Sequence, residues 1–327
     1  MNPWWIVLIA ALVSWLACGT FLGVARQRGW GKAVRRDGPG GHLGKEGTPT
    51  MGGLAFLIAG IGTAIAVTIW APLELPPRLP FAATLAPSDT LGAGLWALLA
   101  LILASAALGW WDDLVSLRRK RATRQGEDAS TGILARWRLA GQATVALGFA
   151  FFAVAAGREA FGVPALDLLV FAFVITGAVN AFNMTDGLDG LAAGVALIVL
   201  LAFWGDPLAA SLTGALLGFL WFNAHPARIF MGGAGAEALG AAVAGLAILH
   251  GDVWRLPIVA LVPMAEVLSV MVQVSWFRYT GGRRLLRMSP LHHHFELSGW
   301  PETRVVTRFW IVTALTVTIG ISSRGWW

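Results

Sequence analysis

The chain has 327 residues, 57% of them hydrophobic and only 13% charged, with a mean hydropathy of +0.68. A soluble domain carries about 25% charged residues, so the composition excludes an ordinary soluble protein and points to an integral membrane protein. The net charge of +6 shows no aromatic-basic face that would suit nucleic acid, and the lone Cys18 excludes an intramolecular disulfide.

A spanning helix needs about 20 mostly apolar residues. The first 25 residues lack a basic leader and read as a transmembrane helix, not a cleaved signal. Ten segments qualify in chain order: 4–25, 52–70, 91–111, 140–156, 164–182, 190–204, 207–224, 235–250, 255–277 and 305–323. The sixth and eighth are short and Gly-rich. Loop 71–90 is Pro-rich and carries no evident chemistry. The expected architecture is all-α, a polytopic membrane protein of one domain over residues 1–327. All but four of the 24 Lys and Arg (Arg78, Arg158, Arg255, Arg324) fall on one side of that layout. The positive-inside rule makes that side cytoplasmic and puts both termini outside.

Five polar motifs fall on the same cytoplasmic face: His42 to Gly53, Trp110 to Leu117, Asn180 to Gly194, Phe222 to Gly235, and Ser289 to Glu302. The opposite face has nothing comparable. This asymmetry implies a site for a polar substrate at the membrane surface. Charges at the edge of a bilayer segment are costly and mark function by default. The stretch NAFNMTDGLDGLAAG supplies Asn180, Asn183, Asp186 and Asp189 between two apolar runs, with glycines that let the backbone turn tightly. The plainer reading is a polar loop with Asp189 as a helix N-cap.

Asp112 and Asp113 stand where an apolar helix is expected to meet water. Neighbours on a helix point in different directions, so one could ligate a hard cation and the other accept a proton. The plainer reading is a solvated pair beside the basic RRKR run. His292, His293 and His294 are a run without metal-ligand spacing. They suit hydrogen bonding to phosphate or sugar, against a solvent-exposed tract. Lys45 and Thr48 sit in a Gly/Pro frame that could bind phosphate, although GTPTMGG lacks the ending of a Walker loop. Gly232 to Gly235 could offer backbone amides to an anion, or simply allow close helix packing.

These residues carry a resemblance. KEGTPTMGG, the Asp112–Asp113 pair, ARWRLAGQ, NAFNMTDGLDGLAAG, FNAHPARIFMG, EVLSVMVQVSWF and MSPLHHHFELSGWPETRVVTRFW together resemble the bacterial phospho-N-acetylmuramoyl-pentapeptide-transferases, over residues 35 to 312. The NxxDGLDGL core is shared by polyprenyl-phosphate sugar-1-phosphate transferases in general, whereas PLHHHFE is specific to the muramoyl-pentapeptide branch. The resemblance implies that undecaprenyl phosphate attacks the β-phosphate of UDP-N-acetylmuramoyl-pentapeptide, with Mg²⁺ as cofactor, giving lipid I and UMP. It implies that Asp112 deprotonates or positions the lipid phosphate, with Asp113 beside it and Asp186 as a further catalytic and metal residue. It puts Asn180, Asn183, Asp189, Lys45, Thr48, His292, His293 and His294 at the substrates, and Asp186 and Asp112 at the metal. The expected partners are these two substrates, membrane lipid and a second copy of the chain, in a bacterial plasma membrane.

Two departures stand out. The family's FMGD reads FMGG here, so Gly233 replaces an aspartate, and Ser116 stands where DDxxK has lysine. The TGS that follows is changed to Ala234, Gly235 and Ala236. A rebuilt site, binding without turnover, and an engineered variant all fit. Glu237, one helical turn on, could reach back toward position 233, and Arg118 or Lys120 could stand in for the lysine. The competing readings are a transferase of another UDP-sugar, a non-catalytic binder of UDP-sugar or polyprenyl phosphate, and a transporter. The last is disfavoured because the acids gather at one face and not at mid-membrane.

Overall fold

Residues 2–28, 31, 45, 47–70, 88–123 and 132–323 are described by the structure, a computed structural model, with side chains described outside 70, 88–91, 117–123 and 132–135. Among them are α1 (Pro3–Gln27), α2 (Gly53–Trp70), α3 (Ser88–Thr123), α4 (Gly132–Ala155), α5 (Pro164–Thr185), α6 (Leu191–Leu200), α7 (Pro207–Asn223), α8 (Gly232–Leu249), α9 (Leu256–Val259), α10 (Leu261–Tyr279), α11 (Leu291–Leu297) and α12 (Glu302–Ser322). The fold is an all-α membrane fold, as its composition requires.

Six of these helices are long and apolar enough to cross a bilayer, and the α9–α10 pair, bent by 82°, would make a seventh. Ten spans were expected. The difference lies in α6 and α7, which are apolar but shorter than about 20 residues, and in α2, whose 18 residues run to the edge of the described ones. The ends of α6 and α7 explain their length. The break at Trp204–Gly205 stops the helical stretch that α6 begins, and Asp206 then starts α7, its carboxylate accepting the Leu208 and Ala209 N–H groups. The bend before α10 has a similar cause. Pro263 has no N–H to offer the Val259 carbonyl, so the chain cannot run straight from α9 into α10.

Helix α8 is the axis of the bundle, with 89% of its apolar window buried. Helices α3 and α5 pack on it, and α1 packs on α7. Lipid tails are as apolar as leucine, so small residues, not hydrophobic burial, bring these helices together. At Gly214 and Gly218 of α7, four residues apart, a Cβ would collide with the Val7 and Ala11 carbonyl oxygens of α1. Large apolar side chains such as Trp5, Phe151, Phe173 and Trp221 point outward instead. The packing gathers the later part of α3, the C-terminal ends of α5 and α7, the start of α8, α11 and the start of α12 at one end. At the other end, His250 Nε2 meets Asp206 Oδ2 at 3.0 Å.

Candidate active site

The apolar run of the third segment stops at Trp111, but the helix does not. The residues after it are mostly good helix formers with no Gly or Pro, so α3 continues to Thr123. Asp112 and Asp113 therefore sit inside a helix and face different neighbours. Arg138 of α4 donates from Nη1 to Asp112 Oδ2 at 3.0 Å. Asp113 Oδ2 accepts the Gly233 N–H at 2.8 Å, and Asp186 Oδ2 accepts the adjacent Gly232 N–H at 3.2 Å. Two carboxylates from α3 and the end of α5 thus converge on two consecutive amides where α8 begins. Gly232 has φ 76°, the left-handed region that favours glycine, whereas Gly233 is not left-handed. A Cβ at Gly233 would lie 3.0 Å from the Gly109 carbonyl oxygen and 3.3 Å from Asp113 Oδ1. Ser116 is exposed on α3, and the Arg118 and Lys120 side chains and His42 lie outside the described residues.

The Asp186–Gly190 turn joins α5 to α6. Asp186 is the C-cap of α5, and Gly190, with φ 75°, is the N-cap of α6 without a side-chain bond. Asp189 is thus not a helix cap. It is 3% exposed and fully engaged by other parts of the chain. Lys45 Nζ donates to its Oδ1 at 2.7 Å, and the Ala227 N–H donates to Oδ2 at 3.0 Å. His225 Nδ1 lies 3.0 Å from the same Oδ2. Glu302, at the start of α12, holds the other side of Lys45 at 2.6 and 2.8 Å and accepts the Asp189 N–H at 2.7 Å. The ligand atoms of Asp189, His225 and Glu302 lie within 4.8 Å of one another, a spacing that could hold a metal ion. The Lys45 ammonium already supplies the positive charge there, with its three donors directed at Asp189 and Glu302. Thr48 follows close by, its N–H donating to the Lys45 carbonyl at 3.2 Å.

The histidine run lies in the first turn of α11, a short helix absent from the sequence reading. Successive residues on a helix point about 100° apart, so the three rings find three partners. His292 Nδ1 meets Glu266 Oε2 at 3.0 Å, His293 Nδ1 meets Glu296 Oε2 at 2.8 Å, and His294 Nδ1 accepts the Arg287 N–H at 3.1 Å. Phe295 stacks on Trp300 at 4.6 Å, and Arg308 of α12 covers Trp300 at 4.1 Å, which docks α11 against α12. Gln273 of α10 holds the approach to α11, accepting the Leu285 and Leu286 N–H groups at 3.1 and 2.9 Å. An open cavity of about 400 Å³ lies beside it, lined by Gln273, Phe277, Arg278, Arg284 and Met288.

Asn180 and Asn183 lie on the last turns of α5, not in a loop. Asn180 Nδ2 donates to Gln142 Oε1 and to the Thr176 carbonyl, both at 2.8 Å. Asn183 Nδ2 donates to Glu237 Oε1 at 3.2 Å, and Gln142 Nε2 donates to Glu237 Oε2 at 3.0 Å. Glu237 is wholly buried in α8 and turned toward Gln142 of α4 and Asn183 of α5. Reading the sequence did not single out Arg138, Gln142, Glu266, His225 or Glu302. Three of them left a signal: Arg138 and Gln142 are four apart, on one helix face, and Glu266 is an acid inside an apolar run.

Residues 95–251 match the family described as Glycosyl transferase family 4, and residues 45–57 match Phospho-N-acetylmuramoyl-pentapeptide-transferase signature 1. The chain is similar to phospho-N-acetylmuramoyl-pentapeptide-transferases of Deinococcus radiodurans, at 43% identity, and of Deinococcus deserti, at 45%, with 98% of each chain covered in both cases. The corresponding protein of Geobacillus thermodenitrificans is 36% identical over 99% of each chain. With identity at this level along nearly its whole length, the chain belongs to the phospho-N-acetylmuramoyl-pentapeptide-transferase family.

Proposed function

We propose that this protein transfers phospho-N-acetylmuramoyl-pentapeptide from UDP to undecaprenyl phosphate, at the cytoplasmic face of a bacterial plasma membrane. An oxygen of the lipid phosphate attacks the sugar-bearing phosphorus. A new P–O bond forms, the bond to UMP breaks, and lipid I results. The observation that carries the reading is the convergence of Asp113 and Asp186 on the Gly232 and Gly233 amides, one residue from Asp112. It places acids from two helices beside the start of a third, at the end of the bundle that holds the polar motifs.

Carboxylate oxygens suit a hard cation, so the donor set fits Mg²⁺. Asp113 and Asp186 would hold it, while Asp112, also expected as a ligand, has Oδ2 engaged by Arg138. Bound there, the ion would offset the negative charge of the two phosphate groups being joined. Asp112 is partly exposed beside α4, so it can take a proton from, or orient, the incoming lipid phosphate, and Arg138 can share that phosphate's charge. The Lys45–Asp189–Glu302 cluster holds the Asp186–Gly190 turn in place between α5 and α6. Purified protein given UDP-N-acetylmuramoyl-pentapeptide and undecaprenyl phosphate should release UMP and form lipid I with Mg²⁺, and much less after chelation. Preference for UDP-N-acetylglucosamine, or no product from either nucleotide, would sink the proposal.

A further inference from the structure

Glu237 lies fully buried in α8, a helix long and apolar enough to cross the bilayer. An acid in such a place is costly and marks function by default. Two side-chain amides hold it. Gln142 Nε2 donates to its Oε2 at 3.0 Å, and Asn183 Nδ2 donates to its Oε1 at 3.2 Å. Glu237 thus turns to α4 and α5 and not back toward Gly233, one turn earlier in α8. Helices α5 and α8 meet again nearer the site, where Asp186 Oδ2 accepts the Gly232 N–H. Asn183 and Asp186, three apart, therefore share the face of α5 that meets α8.

A carboxylate accepts hydrogen bonds and does not donate them, so Glu237 fixes which way both amides point. Gln142 is fixed from its other end as well, since its Oε1 accepts Asn180 Nδ2 at 2.8 Å. Asn183 must turn its NH₂ to Glu237, which turns its Oδ1 away. That oxygen makes no hydrogen bond among the described residues. A carbonyl oxygen is a hard donor of the kind that suits Mg²⁺.

We propose that Glu237 is a positioning residue for the cation. It keeps the Asn183 oxygen turned out on the face shared with Asp186, as a further ligand. It thereby makes good, from one turn deeper in α8, the oxygen that Gly233 cannot supply. The proposal rests on the Mg²⁺ site at Asp113 and Asp186 described under the proposed function.

Glu237→Gln tests it with almost no change of shape. The new side chain has one acceptor oxygen and one NH₂, and it faces two NH₂ groups. Gln142 cannot turn without losing Asn180, so Asn183 turns and presents NH₂ to the cation. Mn²⁺ serves as the probe, and electron paramagnetic resonance of the free ion gives its Kd on detergent-solubilised protein without turnover. Binding at this site is the part that Asp186→Asn removes. Glu237→Gln should raise that Kd about 10- to 100-fold, the usual cost of losing a group that orients a metal ligand. Glu237→Asp, still only an acceptor, should lose less. Asn183→Asp added to Glu237→Gln should recover most of the loss, because the aspartate accepts the new NH₂ with one oxygen and offers the other to the ion. Asn183→Ala keeps the Glu237 charge and so separates positioning from charge. It should raise the Kd by a similar factor, and adding Glu237→Gln to it should raise the Kd little further. A Kd unmoved by Glu237→Gln or by Asn183→Ala, or Mn²⁺ binding that Asp186→Asn leaves unchanged, overturns the proposal. Lipid I formation by such a protein would leave the transferase reading standing without it. The expected Mn²⁺ losses in a protein that forms no lipid I would sink the transferase reading and leave this one.

Discussion

Lys45 and Asp189 meet at 2.7 Å across 144 residues of chain, and Glu302 closes the pair from α12. The contact ties the segment before α2, the α5–α6 turn and the start of α12 into one unit. Asp189 is buried and Lys45 nearly so. Removing one partner of a buried pair strands the other charge. Lys45→Met should lower stability by about 3 kcal/mol, near the low end for buried pairs because Lys45 keeps some contact with water. Thermal unfolding in detergent measures this. Lost transfer with an unchanged melting temperature would instead assign Lys45 to the substrate.

Asp112→Asn should separate chemistry from folding. The Arg138 pair is partly exposed on both sides, so its loss should change stability by less than about 1 kcal/mol. The transfer rate should fall about 10²- to 10⁴-fold if Asp112 handles the proton of the lipid phosphate. Near-normal turnover would return Asp112 to a solvated helix position.

Gly233→Asp adds a carboxylate where the resemblance implies one. The backbone permits it, because Gly233 is not left-handed. Space is tighter: its Cβ would press on the Gly109 carbonyl and face Asp113. The variant should therefore be less stable than the wild type without Mg²⁺ and gain more from adding it, since a ligand that binds only the folded state stabilises it. Transfer should reach its maximum at lower Mg²⁺. Matching Mg²⁺ titrations of melting temperature and rate for the two proteins would refute this.

Glu237 binds two side-chain amides, Gln142 and Asn183. Glu237→Leu leaves both without an acceptor inside the bundle, at about 1–3 kcal/mol for each unsatisfied group. Glu237→Gln keeps one acceptor oxygen and should cost less. Chemical denaturation of both variants gives the comparison. Equal losses would mean that side-chain volume matters here and the polar network does not.

Composition determined that this is a membrane protein, whose backbone in lipid is satisfied only in helices or a closed barrel, and apolar runs of about 20 residues decided for helices. The motifs were legible too, since acids, histidines and glycines interrupt apolar runs only where something recompenses them. What lay beyond the sequence was direction and partnership. Asp189 reads as a cap or a ligand until Lys45, His225 and Ala227 are seen to hold it. The three histidines look equivalent until a short helix turns each ring to a different neighbour. Asp112 and Asp113 look like a helix end until α3 runs on past them. Helix lengths, and so the span count, depend on where Pro, Gly and capping side chains stop each segment against its neighbours. Periodicity is local and can be read along the chain, whereas a pair such as Glu266 and His292 exists only once α10 and α11 have packed.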